Sequence, residues 1–174
     1  MSSIPYDLTK IKAFVFDVDG VLSPNVVPID ANGAPARMAN VKDGYSMQLA
    51  VKHGYKIAII SGADTEVVRK RFQIIGVKDI YLKASDKLPV LMEWMAKEEL
   101  KPEEVAYVGD DVPDLPCMRH VGLSISPADG SADTRNEALY ISPLLGGHGV
   151  ARELIEQTMR AQGQWLHVDT AYGW

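Results

Sequence analysis

Short, nearly continuous apolar runs alternate along this chain with longer stretches whose apolar positions recur every three or four residues. Runs of the first kind suit strands buried on both faces, and stretches of the second kind suit helices with one apolar stripe. The pattern predicts strands at Ile11 to Phe16, Lys56 to Ile60, Asp79 to Leu82, Val105 to Val108, Gly122 to Ser124 and Leu139 to Ile141. It predicts helices at Tyr45 to Lys52, Thr65 to Ile75, Lys87 to Glu99, Pro113 to Arg119 and Val150 to Ala161. Asp64 or Thr65 can open the second helix and Gly76 close it, while Asp86 precedes the third. Strands alternating with helices in this way imply an α/β fold, a doubly wound parallel sheet covered on both faces.

Two segments break the alternation. In Val26 to Asn40, the turn-forming run Asp30-Ala31-Asn32-Gly33 separates two extended flanks, which predicts a β-hairpin projecting from the sheet. The stretch Gly163 to Trp174 carries Trp165, His167, Tyr172 and Trp174 without period, so its aromatics are expected to pack on another surface.

Composition narrows the functional classes. A chain of 174 residues that is 47% hydrophobic fits a single domain over 1–174. Its 18 basic and 23 acidic residues give a net charge of -5, which disfavours non-specific binding to nucleic acid or to an anionic membrane. The one cysteine, Cys117, has no internal disulfide partner, and the expectation is a reducing, cytoplasmic setting. The start lacks a basic region followed by an apolar stretch, and no window approaches the roughly 20 apolar residues of a membrane span.

The chemistry gathers where the strands end. In an open parallel sheet, ligands sit beyond the carboxyl ends of the strands, at the point where strand order reverses. Asp17 and Asp19 follow the first predicted strand, Ser61 and Gly62 the second, and Asp110 and Asp111 the fourth, while Lys87 opens the helix after the third. Clustered carboxylates repel one another unless a cation or proton relieves them, and Mg²⁺ prefers hard oxygen ligands. The set meets the needs of phosphoryl transfer: a nucleophile, neutralising charge and a proton for the leaving oxygen. Asp17 is the candidate nucleophile, forming an aspartyl-phosphate, and Asp19 the candidate general acid and base. Ser61 and Lys87 would donate to phosphoryl oxygens, with Gly62 beside them. Asp17, Asp110 and the backbone carbonyl of Asp19 would hold Mg²⁺, and Asp111 and Asp114 would orient Lys87, waters or loop amides. His148, in Gly146-Gly147-His148-Gly149, is a candidate substrate contact on a flexible loop.

In order and strand-end placement, DVDGV, ISG, Lys87 and GDDVPD resemble the four motifs of the haloacid dehalogenase superfamily of phosphatases. The likeness spans roughly Ile11 to Ile125. Members of that superfamily often carry an inserted cap domain, yet Asp17 and Ser61 are only 44 positions apart and Lys87 and Asp110 only 23, so no cap is expected. The hairpin after the first motif, the segment Val41 to Tyr45 and the GG-x-G loop before the last helix resemble the capless 3-deoxy-D-manno-octulosonate 8-phosphate phosphatases. That resemblance implies a homotetramer assembled through the 26–40 hairpins, with a neighbouring subunit helping to cover each site. The tail ending in Ala171-Tyr172-Gly173-Trp174 would likewise reach a crevice, its own or a neighbour's.

Members of that family often place an Arg directly after the second-motif Gly and another in the GG-R-G loop; here Ala63 and His148 stand there. Neither replaces a bidentate guanidinium in kind. A phosphatase for the nine-carbon keto-deoxy sugar acid 9-phosphate, or for another small sugar phosphate, therefore stays open as an alternative. A phospho-aspartate receiver module is the non-enzyme alternative. A receiver, however, carries its phosphorylated Asp alone on a later strand, whereas here the DxD comes first and includes a second acid.

Overall fold

The structure, a computed structural model, describes residues 2–166 and 169–173. Its centre is a six-stranded sheet of β1 (Ala13–Phe16), β2 (Lys56–Ile60), β3 (Asp79–Tyr81), β4 (Val105–Val108), β5 (Leu123–Ser126) and β6 (Tyr140–Ile141). All pairings are parallel, in the order β3-β2-β1-β4-β5-β6. The chain grows outward from β1 first in one direction and then in the other, so the reversal of strand order lies between β1 and β4.

Alternation within the strands sorts side chains into two apolar layers. Phe14, Phe16, Ile57 and Ile59 face a layer closed by helices α1 (Val41–Lys52), α2 (Glu66–Ile74) and α6 (Val150–Ala161), through Met47, Phe72 and Leu154 among others. Ala13, Val15, Ala58 and Ile60 face the opposite layer, closed by α3 (Lys87–Lys97) and α4 (Leu115–His120) through Leu91, Trp94 and Met118. Burying a side chain of this size stabilises the fold by roughly 1.5–3 kcal/mol relative to leaving it exposed. Cys117 is a free thiol in this second core. No helix among the described residues is long and apolar enough to cross a membrane.

All six predicted strands are present, with ends shifted by up to two residues. α1 begins at Val41 rather than Tyr45, because the Asn40 side chain accepts from the amides of Lys42 and Asp43 and starts the helix a turn earlier. A short helix, α5 (Ala132–Glu137), was not expected; its polar sequence has no apolar stripe, and its start is set by Ser131, whose side chain accepts from Thr134 N.

The predicted hairpin is an arm with a turn but hardly any ladder. Asp30 N donates to Ala34 O at 2.8 Å, Ala36 N to Pro28 O at 2.8 Å, and a single antiparallel bridge joins Ile29 to Pro35. Pro28 and Pro35 have no amide hydrogen, which prevents the pairing from propagating. The tail packs on its own chain: Trp165 meets the Tyr45 ring edge-on at 6.3 Å, the Arg152 guanidinium lies 4.5 Å over Trp165, and Tyr45 donates to the carbonyl of the buried Ala171. Tyr172 is exposed, while His167 and Trp174 fall outside the described residues.

Candidate active site

Because Phe16 pairs in register with Val108, the residues that follow them, Asp17 and Gly109, leave neighbouring strands side by side. The ladders continue one residue further through Asp17 N to Val108 O and Gly109 N to Ile125 O. The chain then turns sharply after Asp17, where Val18 O accepts from the amides of Val21, Leu22 and Ser23. Ser61 leaves β2 with its amide on Tyr81 O, and Lys87 occupies the first position of α3. Asp17, Asp19, Ser61, Gly62, Lys87, Asp110, Asp111 and Asp114 thus line one crevice of about 340 Å³. A cavity of similar size near the other ends of the strands, lined by Lys12, Tyr55 and Glu98, gathers none of the sequence-predicted residues.

Lys87 is the hub of the buried charge. Its Nζ donates to Asp17 Oδ2 and to Asp114 Oδ1, each at 2.8 Å. Asp114 is also satisfied by Tyr107 Oη at 2.7 Å and by the amides of Asp110 and Asp111 at 3.0 and 3.4 Å. Asp114 therefore ties Lys87, the end of β4 and the following loop into one unit. Tyr107 has no signature in the sequence beyond an apolar strand, and its role as a buried donor emerges only from the packing. Asp111 caps the next turn, accepting from Val112 N at 2.8 Å.

The electrostatics favour a cation here. Burial, then repulsion from Asp114, raises the carboxyl of Asp17 to about 6 against the pull of Lys87. Burial, then Asp17 and Asp114, raises Asp110 to about 8. Burial opposes the charge on Lys87, but Asp17 and Asp114 outweigh it and the ammonium is held above its usual range. Carboxylate oxygens of Asp17, Asp110 and Asp114 lie within 4.8 Å of one another. Asp114 already accepts four hydrogen bonds, so Asp17 and Asp110 are the better free donors to a hard divalent ion.

Asp19 occupies a different setting from its neighbour. Its half-exposed carboxylate is gripped by the arm residue Arg37, Nε on Oδ1 and Nη2 on Oδ2, both at 2.8 Å. Arg37 has no counterpart in the sequence reading, because no period or motif links it to a residue 18 positions earlier. Ser61 is buried, its Oγ accepting from Ala63 N at 3.2 Å. Asn25 also lines the crevice without having been anticipated.

His148 does not reach the crevice lining. Its Nδ1 lies 2.7 Å from Gly146 O, and the ring is exposed. The loop that carries it packs instead on the turn after Asp19, with Gly147 N on Val21 O at 2.7 Å and Gly146 so close that a Cβ would fall 2.0 Å from Gly20 O. Arg69 is committed to Ile80 O at 3.0 Å and to Glu66 at 3.4 Å.

No protein-family model matches the chain. It is 36% identical over 163 residues to KdsC of Salmonella typhimurium, a 3-deoxy-D-manno-octulosonate 8-phosphate phosphatase, covering 92% of this chain and 87% of that protein. It superposes with a TM-score of 0.88 and 32% identity, over 96% of each chain, on the phosphatase of that name from Moraxella catarrhalis, solved with a magnesium ion, a phosphate ion and a KDO molecule. A HAD superfamily hydrolase (subfamily III A) from Legionella pneumophila matches with a TM-score of 0.89 and 32% identity, over 95% of this chain and 91% of that one.

Proposed function

The chain belongs to the 3-deoxy-D-manno-octulosonate 8-phosphate phosphatases of the haloacid dehalogenase superfamily, and we propose that it hydrolyses that sugar-acid phosphate through a phosphoaspartyl intermediate on Asp17. The observation that carries this reading is the ion pair between Lys87 and Asp17 at 2.8 Å, beside Asp110, at the reversal of strand order.

The donor set fits Mg²⁺, since a buried and a partly buried carboxylate, both raised by burial and by their acidic neighbours, are relieved by a hard cation. Asp17, Asp110 and the carbonyl of Asp19 would hold it, and the bound ion supplies neutralising charge to the phosphoryl oxygens. Lys87 keeps the Asp17 carboxylate ionised and aimed, and together with the Ser61 hydroxyl donates to the phosphoryl group, with the Gly62 backbone alongside. Asp17 attacks phosphorus, the P–O bond to the sugar breaks, and Asp19 passes a proton to the departing oxygen. Asp19 then takes a proton from water, whose oxygen attacks the phosphoaspartate and releases phosphate, regenerating Asp17. Asp114 and Asp111 hold Lys87 and the loop amides in place.

The whole chain would act as one unit in the cytoplasm, which its single buried thiol supports, with no nucleic-acid or membrane partner. It would assemble as a homotetramer through the 26–40 arm, whose Val26, Ile29 and Met38 are exposed. The test is steady-state turnover with Mg²⁺ on the eight-carbon and nine-carbon keto-deoxy sugar-acid phosphates. The expected result is a kcat/KM at least tenfold higher for the eight-carbon acid and loss of turnover on chelation; the reverse ranking would assign the nine-carbon substrate.

A further inference from the structure

The substrate proposed above carries two anionic groups, a phosphate and a carboxylate, and Lys87 with Mg²⁺ accounts for the first alone. The crevice is otherwise acidic: Asp17, Asp19, Asp110, Asp111 and Asp114 line it, and Lys87 is the only cationic lining residue among those described. A substrate carboxylate entering such a site needs a cation at its mouth, because an unpaired like charge there costs binding energy.

Arg37 reaches the crevice through Asp19 rather than lining it, and it shares the adjoining groove with Arg71, whose guanidinium packs against Gly44. Lys83 is exposed and paired with Asp64 at 3.0 Å, Arg69 is held by Ile80 O and Glu66, and His148 has its Nδ1 on Gly146 O at 2.7 Å. Ala63, beside Ser61 in the crevice lining, has no charge. Arg37 differs in that its guanidinium already holds a carboxylate in the forked, two-point mode, with a side chain only 14% exposed against 45% for Asp19. A planar guanidinium so arranged is a preformed receptor for a carboxylate.

We propose that Arg37 is the specificity-determining residue for the carboxylate of the sugar acid, and that it works by exchanging partners. The guanidinium that grips Asp19 turns to the substrate's carboxylate, which takes that place, and Asp19 is released toward the leaving oxygen. One forked pair replaces another, so the exchange conserves the interaction and the freed acid becomes available only when a carboxylate-bearing substrate has arrived. The arm that carries Arg37 has a ladder of one bridge, which leaves room for a small shift about the anchor where Met38 N donates to Ser23 Oγ at 3.0 Å.

This inference rests on the sugar-acid reading, and the experiment separates the two. Turnover of the eight-carbon acid phosphate and of a neutral pentose 5-phosphate is measured for the parent, Arg37→Ala and Arg37→Lys. Arg37→Ala should lower the ratio of kcat/KM for the acid over the neutral sugar at least tenfold, mainly through KM for the acid, with Arg37→Lys intermediate because charge remains without the fork. A parent-like ratio in both variants, even with both rates reduced, would overturn the inference and leave Arg37 as a brace for Asp19 alone. A parent that shows no preference for the acid would overturn the sugar-acid reading and this inference with it. Should Arg37→Ala fail to fold, Arg37→Lys and a substrate analogue with the carboxyl reduced to an alcohol decide: losses from variant and analogue that add independently count against the proposal.

Discussion

Gly20 faces Asp110 so closely that a Cβ on the glycine would fall 1.9 Å from Asp110 Oδ2. Gly20 also has φ +77°, a left-handed conformation that side chains other than glycine's adopt at a cost of about 1 kcal/mol. Gly20→Ala should therefore push Asp110 off its position while leaving the cores intact. The expected outcome is an activating Mg²⁺ concentration raised at least tenfold with only a modest fall in Tm, measured by metal titration of activity and by thermal melting. A parent-like Mg²⁺ requirement would mean that Asp110 does not hold the ion.

Asp17→Asn separates catalysis from stability. The side chain is buried and its charge is disfavoured by burial and by Asp114, so the neutral amide costs the fold little. Turnover is expected to fall at least a thousandfold, with a Tm at pH 8 without divalent ion at or above the parent's. Turnover within tenfold of the parent would eliminate covalent chemistry at this residue.

Mg²⁺ and protons compete for the same carboxylates. Asp17 is raised to about 6 and Asp110 to about 8, both above the usual carboxylate value, so the folded protein without cation binds protons that the unfolded chain has released. Its stability therefore declines as pH climbs from about 4 to about 8, and ion binding must expel a proton wherever one remains. The gain in Tm on adding Mg²⁺ should be larger at pH 8.5 than at pH 5.5, with apparent affinity falling up to about tenfold per pH unit between 8 and 6. A pH-independent gain would show that these acids do not bind the metal.

Asp43 tests the same logic away from the crevice. It accepts from Arg152 N at 2.7 Å, tying the start of α1 to the start of α6, yet burial raises its carboxyl to about 6 despite that bond and the Arg152 charge. The folded value lies above the unfolded one, so stability is lost as pH rises from about 4 to about 6 and stays low above that. Asp43→Asn keeps an acceptor for the Arg152 amide without the charge. Its stability relative to the parent, from urea unfolding, should improve by roughly 1–2 kcal/mol between pH 4.5 and 7.5. A constant difference would contradict this account.

Much of this was legible in the residues because buried parallel strands leave continuous apolar runs, and the acids that end two of them fall on adjacent strands once the order reverses at β1 and β4. What escaped reading depends on contacts between residues distant in sequence or on the absence of a stripe. Tyr107 looks like any core residue until Asp114 is found beneath it, and α5 is a polar hexamer fixed by its cap. The Arg37 pairing with Asp19 depends on the path of an arm whose turn was readable and whose weak ladder follows from two prolines.

Those prolines also govern what the arm can do to another molecule. Without N–H donors at positions 28 and 35, the ribbon offers no unbroken edge that a second chain could extend by strand addition. The proposed association through the exposed Val26 and Ile29 would then be confined to side-chain contact, which closes once those surfaces are covered. Pro28→Val with Pro35→Val would restore both donors beside exposed apolar side chains, and is expected to raise the tendency to aggregate by strand addition.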